Sequence, residues 1–146
     1  MVSASVSHGV LREPGLLICR LVGQVGDEEL LAGWRRIHDD PRSVDVLKRL
    51  VDPRQLEGAG LTAAALAAAA RFSRDRCAGR GVTARTAFVA PKNVAFGLAR
   101  MYEALMHGAG GEIMVFRKTE EACAWLGVAP ELLDRALQDH RSHGAE

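Results

Sequence analysis

Apolar residues follow two different periods along the chain, and this alternation predicts an α/β domain. Short apolar runs predict strands at residues 8–13, 16–25, 46–52, 83–90 and 112–117. Apolar spacings of three and four residues predict helices at about 27–40, 61–78, 93–107 and 119–126, with a last helix from Pro130. Strands that alternate with helices imply a mostly parallel sheet with helices on both faces, and the Pro14-Gly15 turn adds an antiparallel edge hairpin.

The predicted order, β-β-α-β-α-β-α-β-α-α, fits one domain over residues 1–146. The chain is 48% hydrophobic and 25% charged, which provides a core and excludes a disordered chain. Its formal net charge of +1 lacks the basic excess of a nucleic-acid binder or a polybasic membrane anchor. The longest apolar tract, Leu61 to Ala70, is far shorter than the ~20 residues of a membrane span, so we expect no integral membrane segment.

Cysteine and histidine spacing predicts neither a disulfide nor a metal site. Cys19, Cys77 and Cys123 are far apart and form no CxxC pair, which favours free thiols and a reducing, cytoplasmic setting. The N-terminus lacks the basic and apolar regions of a secretory signal. His140 and His143 have no obvious third ligand, so we expect a surface pair there. The sequence therefore predicts no metal and no cofactor.

The predicted helix KNVAFGLARMYEAL carries apolar residues on more than one side. At 100° per residue, one face carries Val94, Leu98, Met101 and Leu105. The pattern predicts that this face packs on the core and leaves Phe96 on the water-facing side, unless Phe96 folds back onto the loop after Val51. An apolar spot beside an arginine is typical of a protein contact. The outer face thus predicts a homodimer interface made of Phe96, Ala99, Arg100 and Met106.

A second candidate site comes from the topology. In an open α/β sheet, ligands favour the carboxyl ends of the strands, where helix N-termini add partial positive charge. The predicted residues at this edge are Asp52, Arg54, Lys92, Asn93, Arg117 and Lys118. Such a set predicts a site for a small anion, or for the anionic end of a larger ligand. The alternative interpretation is that these are ordinary solvated loop charges.

Gly58, Gly60 and Ala63 match the G-x-G-x-x-A fingerprint of a dinucleotide site, after a predicted strand and before a predicted helix. Two features count against a nucleotide. Residues 53–57 separate the strand from the first glycine, where the fingerprint needs an immediate turn. The next strand also ends without the acidic residue that would hold a ribose. Because isolated glycine motifs often mark turns, we rank a nucleotide-binding enzyme third among the possible functions.

Two longer segments of the chain are TARTAFVAPKNVAFGLARMYEAL and IMVFRKTEEACAWLG. They resemble bacterial proteins of the SpoIIAA-like group, which belong to the STAS/CRAL-TRIO superfamily of folds. In these segments, a strand ends in a small residue before FGLARMYE, and a V-F-R strand precedes E-A-x-x-W-L. The earlier segments LVGQVGDEELLAGWRRIHDDP and LVDPR are similar to the same pattern. The resemblance covers nearly the whole chain and implies a STAS-like fold.

What the resemblance implies about function is binding. STAS-type domains of the anti-sigma antagonist kind bind proteins and are switched by phosphorylation of a serine at the start of one helix. The matching stretch here is LEGAGLTAAAL, in which Ala59 takes the place of that serine and Thr62 is a weak substitute. The resemblance therefore carries over the fold without the phosphorylation switch. CRAL-TRIO relatives bind lipids in a helix-gated pocket.

We therefore expect a non-catalytic binding module that acts through self-association or a protein partner. The alternative is a carrier or sensor of a small anionic or lipid-type molecule. An apolar patch around Phe96 without a deep pocket would favour the binding module, whereas an enclosed cavity would favour the carrier. An enzyme would instead show a cleft with titratable groups of shifted pKa.

Overall fold

A computed structural model describes residues 4–57, 60–77, 84–109, 111–133 and 135. The strands in this part of the chain are β1 Ser5–Leu11, β2 Leu16–Gly23, β3 Lys48–Leu56, β4 Arg85–Val89 and β5 Glu112–Phe116. The helices are α1 Asp27–Asp39, α2 Ala63–Cys77, α3 Asn93–Leu105 and α4 Thr119–Leu126, and a short 3₁₀ turn spans Pro41–Ser43. The strands form one sheet in the order β1-β2-β3-β4-β5.

This architecture confirms the predicted α/β class. β1 is antiparallel to β2, and the other neighbouring strands are parallel. Residues 131–133 begin a further helical segment, while most of the predicted last helix and the tail lie outside the described residues. Within the described ranges, no helix is long and apolar enough to cross a membrane.

The strand order places three helices on one face of the sheet. Each parallel strand pairs with the next one along the chain, so all crossovers move in the same direction. Because such crossovers are right-handed, α1, α2 and α3 pack on the same face, which we call the α1–α3 side. α4 packs on the opposite face, the α4 side. Buried strand residues of the α4 side are Leu16, Ile18, Leu50, Ala87 and Val89.

β1 lies closer to the N-terminus than predicted. Its residues pair with β2 from Ser5 opposite Val22 to Leu11 opposite Leu16. The turn therefore occupies residues 12–15, where Gly15 has a φ of 88° that favours glycine. The predicted strand 8–13 was placed too late because the polar residues of this edge strand hide its start.

β3 runs past Pro53, where the sequence predicts that it ends. Proline has no N–H for a ladder hydrogen bond and is confined to edges, strand starts and bulges. Here the register with β2 shifts, because Arg20 lies opposite Asp52 whereas Val22 lies opposite Gln55. This bulge accommodates the proline and lets the strand continue.

α1 packs close to β1 at Gly33. A Cβ atom on this glycine would lie within 2.6 Å of Val6 Cβ and closer still to Val6 Cγ1. The adjoining Arg36 donates a hydrogen bond from Nη2 to the Val6 carbonyl oxygen at 2.7 Å. The missing side chain of Gly33 thus allows α1 to cover the edge strand.

Candidate functional site

α3 is rotated about its axis relative to the sequence prediction. Its buried residues are Ala95, Ala99 and Tyr102. The face that was predicted to pack on the core instead carries three exposed side chains, which are Val94 at 56%, Met101 at 40% and Leu105 at 37%. The prediction was wrong because small alanines bring the helix near the sheet, while the tyrosine reaches hydrogen-bond partners on α1 and α2.

The exposed apolar residues of α3 form one line, which we call the outer α3 stripe: Val94, Leu98, Met101 and Leu105. Spacings of four, three and four residues place them within about 60° of one another around the helix axis. Leu98 also packs partly against the core. Gly97 and Ala104, both exposed, lie beside the stripe. Apolar residues with this spacing are typical of the seam between two paired helices.

The residues predicted as an interface do not form one surface. Ala99 is buried, so its assignment to an outer contact face was wrong. Phe96 and Met106 are half-buried and pack against the α1–α3 side. The Arg117 guanidinium lies 4.1 Å from the centre of the Phe96 ring, whereas Arg100 is exposed. α3 remains the candidate contact helix, but through the outer α3 stripe.

At the carboxyl edge of the sheet, Arg54 is paired with Asp52. Its Nε and Nη2 donate to the two carboxylate oxygens at 2.8 and 3.0 Å, and its backbone N–H donates to Oδ1 at 3.0 Å. The Asp52 side chain is 3% exposed and that of Arg54 is 41% exposed. Arg54 Nη1 also lies 3.4 Å from Thr119 Oγ1 at the start of α4. These contacts join the bulged end of β3 to α4.

Arg117 forms a second cluster at the same edge. Its Nη1 donates to the Pro91 carbonyl oxygen at 3.0 Å and to Asn93 Oδ1 at 2.9 Å. Lys92 and Lys118 are exposed and directly precede α3 and α4. The predicted ligand-binding residues thus fall into two clusters, in which both arginines already have internal partners. Their role in binding an anion stays a prediction.

A side-chain carboxylate occupies the N-terminus of α2. Thr62 donates to Asp27 from its backbone N–H at 3.0 Å and from its hydroxyl at 2.7 Å. Thr62 Oγ1 in turn accepts a hydrogen bond from the Ala65 N–H at 3.1 Å. In a dinucleotide site the phosphate lies at such a helix N-terminus. The negative charge of Asp27 therefore opposes a phosphate at this position.

The spacing argument against the glycine fingerprint was wrong, because β3 extends to Leu56 and the glycines follow at once. Gly60 nevertheless has a structural role. A Cβ atom on it would lie 3.2 Å from the Val25 carbonyl oxygen, so the glycine lets this loop approach the turn before α1. Gly58 and Ala59, the position of the expected phosphorylation site, lie outside the described residues.

A buried polar cluster joins the three helices of the α1–α3 side, and sequence analysis missed it. Trp34 Nε1 donates to Ser73 Oγ at 3.0 Å and lies 3.2 Å from the Tyr102 hydroxyl oxygen. The Tyr102 hydroxyl itself donates to Ser73 Oγ at 2.9 Å, and His38 Nε2 lies 2.9 Å from the same oxygen. The signal in the sequence was Ser73, a polar residue on the buried, alanine-rich face of α2.

Next to this polar cluster is a cavity of about 110 Å³. The first halves of the strands form its floor, and the C-terminal ends of α1, α2 and α3 form its walls. Its apolar lining includes Leu17, Ile37, Val46, Met106 and Ile113. Its polar lining includes His38, Arg49, Ser73 and Tyr102. The cavity thus combines an apolar body with one polar wall, a composition typical of small-molecule sites.

Burial and hydrogen bonding account for the shifted titratable groups. Burial raises the pKa of the Cys19 thiol to about 12, and it also raises the pKa of Tyr102. Hydrogen bonds from Arg42, and secondarily from His8, hold the pKa of the Asp40 carboxyl well below its usual range. At neutral pH these groups keep one protonation state, which is unsuited to general acid–base catalysis.

We expect Cys77 to be the first thiol to react in the native protein. Cys19 and Cys123 are buried and Cys77 is half-buried. Burial raises the pKa of both buried thiols, and the thiolate is the reactive form. A chromogenic disulfide reagent should modify one thiol in the folded protein and all three in denaturant, and Cys77→Ser should remove the native signal. Rapid native modification of all three would contradict the assignment.

A metal site has no support in the described part of the chain. No group of three or more histidine, cysteine, aspartate or glutamate side chains comes together there in a way that could hold a metal ion. The predicted surface pair, His140 and His143, lies outside the described residues.

The chain is similar in fold to a solved structure. It is an uncharacterised protein of the DUF3478 family from Shewanella loihica PV-4, with a SpoIIAA-like fold. It aligns with a TM-score of 0.57 and 16% sequence identity, over 86% of this chain and 97% of that chain. No family profile matches the sequence, and no curated protein is significantly similar to it. The likeness shows a SpoIIAA-like fold.

Proposed function

We propose that this protein, which has a SpoIIAA-like fold, is a non-catalytic binding module that pairs with a second copy of itself through the outer α3 stripe. The observation that carries the proposal is the alignment of Val94, Met101 and Leu105, all exposed, with the half-buried Leu98. The solvent-facing side of a helix is normally polar. Covering these side chains in a helix pair removes apolar surface from water, which contributes about 25 cal/mol per Å² before the cost of association is subtracted.

The stripe is self-complementary under two-fold symmetry. In an antiparallel pair centred on the middle of α3, Val94 of each copy meets Leu105 of the other, and Leu98 meets Met101. Every stripe residue then has an apolar partner in the other copy. The small residues beside the stripe allow the two helix axes to approach closely. This symmetry favours a second copy over an unrelated protein as the occupant.

We expect Met101→Glu to make the protein monomeric. One helix pair is a small interface, so the wild-type dimer should dissociate in the micromolar range. The substitution places two carboxylates near the two-fold axis, where burial of a charge is costly and like charges repel. Light scattering should be measured at about 10 and 500 µM. The wild type should be a dimer at the higher concentration, and the variant should be a monomer at both.

Met114→Glu is the matched control, because Met114 is 42% exposed but lies on β5 and outside the stripe. It should leave the dimer unchanged. A wild type that stays monomeric at the higher concentration would overturn the proposal. A dimer that is lost in the Met114 variant and kept in the Met101 variant would place the interface elsewhere.

The anion-carrier alternative at the sheet edge has less support, whereas the cavity on the α1–α3 side is the feature that favours a carrier or sensor of an apolar molecule. Arg54 donates three hydrogen bonds to Asp52, and Arg117 donates to Pro91 and Asn93. An anion would have to compete with these internal acceptors. Ordered acceptors already in place reduce the gain from a new charge-assisted hydrogen bond.

A further inference from the structure

The cavity on the α1–α3 side has room for one small ring. Its volume is about 110 Å³. An engineered apolar cavity of about 150 Å³ in another protein admits benzene. A six-membered ring is therefore near the upper limit here, and fused rings are too large.

The lining selects an apolar ring. Trp34 and Tyr102 meet edge to face on one side, with ring centres 5.6 Å apart, and aliphatic side chains line most of the remainder. A ligand with many polar groups would leave some of them without partners in such a site, which is costly. Val44 and Leu47 line the cavity and are themselves exposed, so its apolar lining continues to the protein surface.

The Ser73 and Tyr102 part of the polar wall has room for one hydrogen-bond donor. The Ser73 oxygen interacts with Trp34, Tyr102 and His38, which uses its one proton and both lone pairs. Among the described residues, the Tyr102 oxygen donates one hydrogen bond and accepts one. A phenolic oxygen has two lone pairs, so it can accept a second hydrogen bond from a group in the cavity.

From the size, the apolar lining and this acceptor, we propose that the cavity binds a single-ring compound that carries one hydroxyl group, with that hydroxyl donating to Tyr102. Phenol is the simplest member of the class. The site is separate from the outer α3 stripe, because its walls are the inner, C-terminal ends of the helices. Dimerisation and ligand binding can therefore be tested independently.

The two tryptophans provide a direct test by NMR. Trp34 lines the cavity, whereas Trp125 packs on the α4 side of the sheet. Titration of the full chain with phenol should move the Trp34 indole N–H resonance along a saturating curve. The Trp125 indole resonance should stay in place as the internal control.

Tyr102→Phe keeps the ring and removes the acceptor. It should weaken phenol binding about three- to tenfold, the range expected for loss of one ordinary hydrogen bond. Toluene has a ring of similar size but no hydroxyl, so its affinity should change less than about twofold. The wild-type titrations with phenol and toluene do not depend on whether the variant folds.

Three results would overturn the proposal. The Trp34 resonance could remain stationary up to about 20 mM phenol. Both indole resonances could shift linearly without saturation, which indicates a solvent effect. Tyr102→Phe could weaken phenol and toluene equally, which would show that the hydroxyl is not recognised.

Discussion

Gly33→Ala is expected to destabilise the protein by about 2–3 kcal/mol, in the upper part of the range for overpacked cores. In an ordinary helix the same substitution stabilises the protein, because alanine is favoured over glycine by about 1 kcal/mol. The new Cβ would overlap Val6 Cγ1 and Val6 Cβ, and no side-chain rotation can move Val6 Cβ away from its place on the β1 backbone. α1 must therefore move away from β1.

Gly97→Ala is the matched control. Gly97 is also a helical glycine, but a Cβ there meets nothing within 4 Å. It should stabilise the protein by up to about 1 kcal/mol. Urea unfolding at a protein concentration below the dimer range would measure both free energies. Adding Val6→Ala to Gly33→Ala should recover part of the loss, and strictly additive effects would contradict the overlap.

Arg54→Ala is the second substitution with a large expected effect. It leaves the Asp52 carboxylate, whose side chain is 3% exposed, without its guanidinium partner. Removing one partner of a fully buried ion pair costs about 3–5 kcal/mol. Arg54 itself is 41% exposed and partly screened by water, so we expect a smaller loss of about 2 kcal/mol. Urea unfolding at neutral pH would measure it.

Arg117→Ala is the matched control for Arg54→Ala, because it also removes an arginine at this edge of the sheet. Arg117 donates to neutral oxygens, lies against the Phe96 ring and is exposed, so its loss should cost about 1 kcal/mol. Asp52→Asn with Arg54→Ala should be more stable than Arg54→Ala alone, because the buried charge is then absent. Equal unfolding free energies for the two single arginine variants would show that the Asp52 pair has no special role.

The order of strands and helices could be predicted because period and turn chemistry are local properties. Prolines and glycines ended most elements where expected. Pro53 did not, since a bulge depends on how β3 pairs with β2, and a neighbouring strand leaves no mark on the sequence of β3. The α/β class was correct because it needs only the order of the elements.

The orientation of α3 could not be predicted in the same way. Val94, Leu98, Met101 and Leu105 have the larger apolar side chains, so hydrophobicity alone assigns them to the core. The true core face uses small alanines and one tyrosine, whose place depends on hydrogen bonds to other helices. A helix with two apolar faces does not reveal from its sequence which one its own sheet covers.

The polar cluster was hidden for a related reason. Trp34 is a buried core residue, and its N–H requires a partner in such a place. That partner is Ser73, 39 positions further along the chain. Distances of this kind are set by helix packing, so neither the cluster nor the cavity beside it follows from spacing.

The division of helices between the two faces sets the order in which those faces can be covered during synthesis. Each strand pairs with a neighbour in sequence, so the sheet can grow as the chain leaves the ribosome, with mostly short loops to close. Leu16, Ile18 and Leu50, however, are covered by segments that are made later, from residue 119 onward. Until those segments are made, one face of the growing sheet is apolar and uncovered.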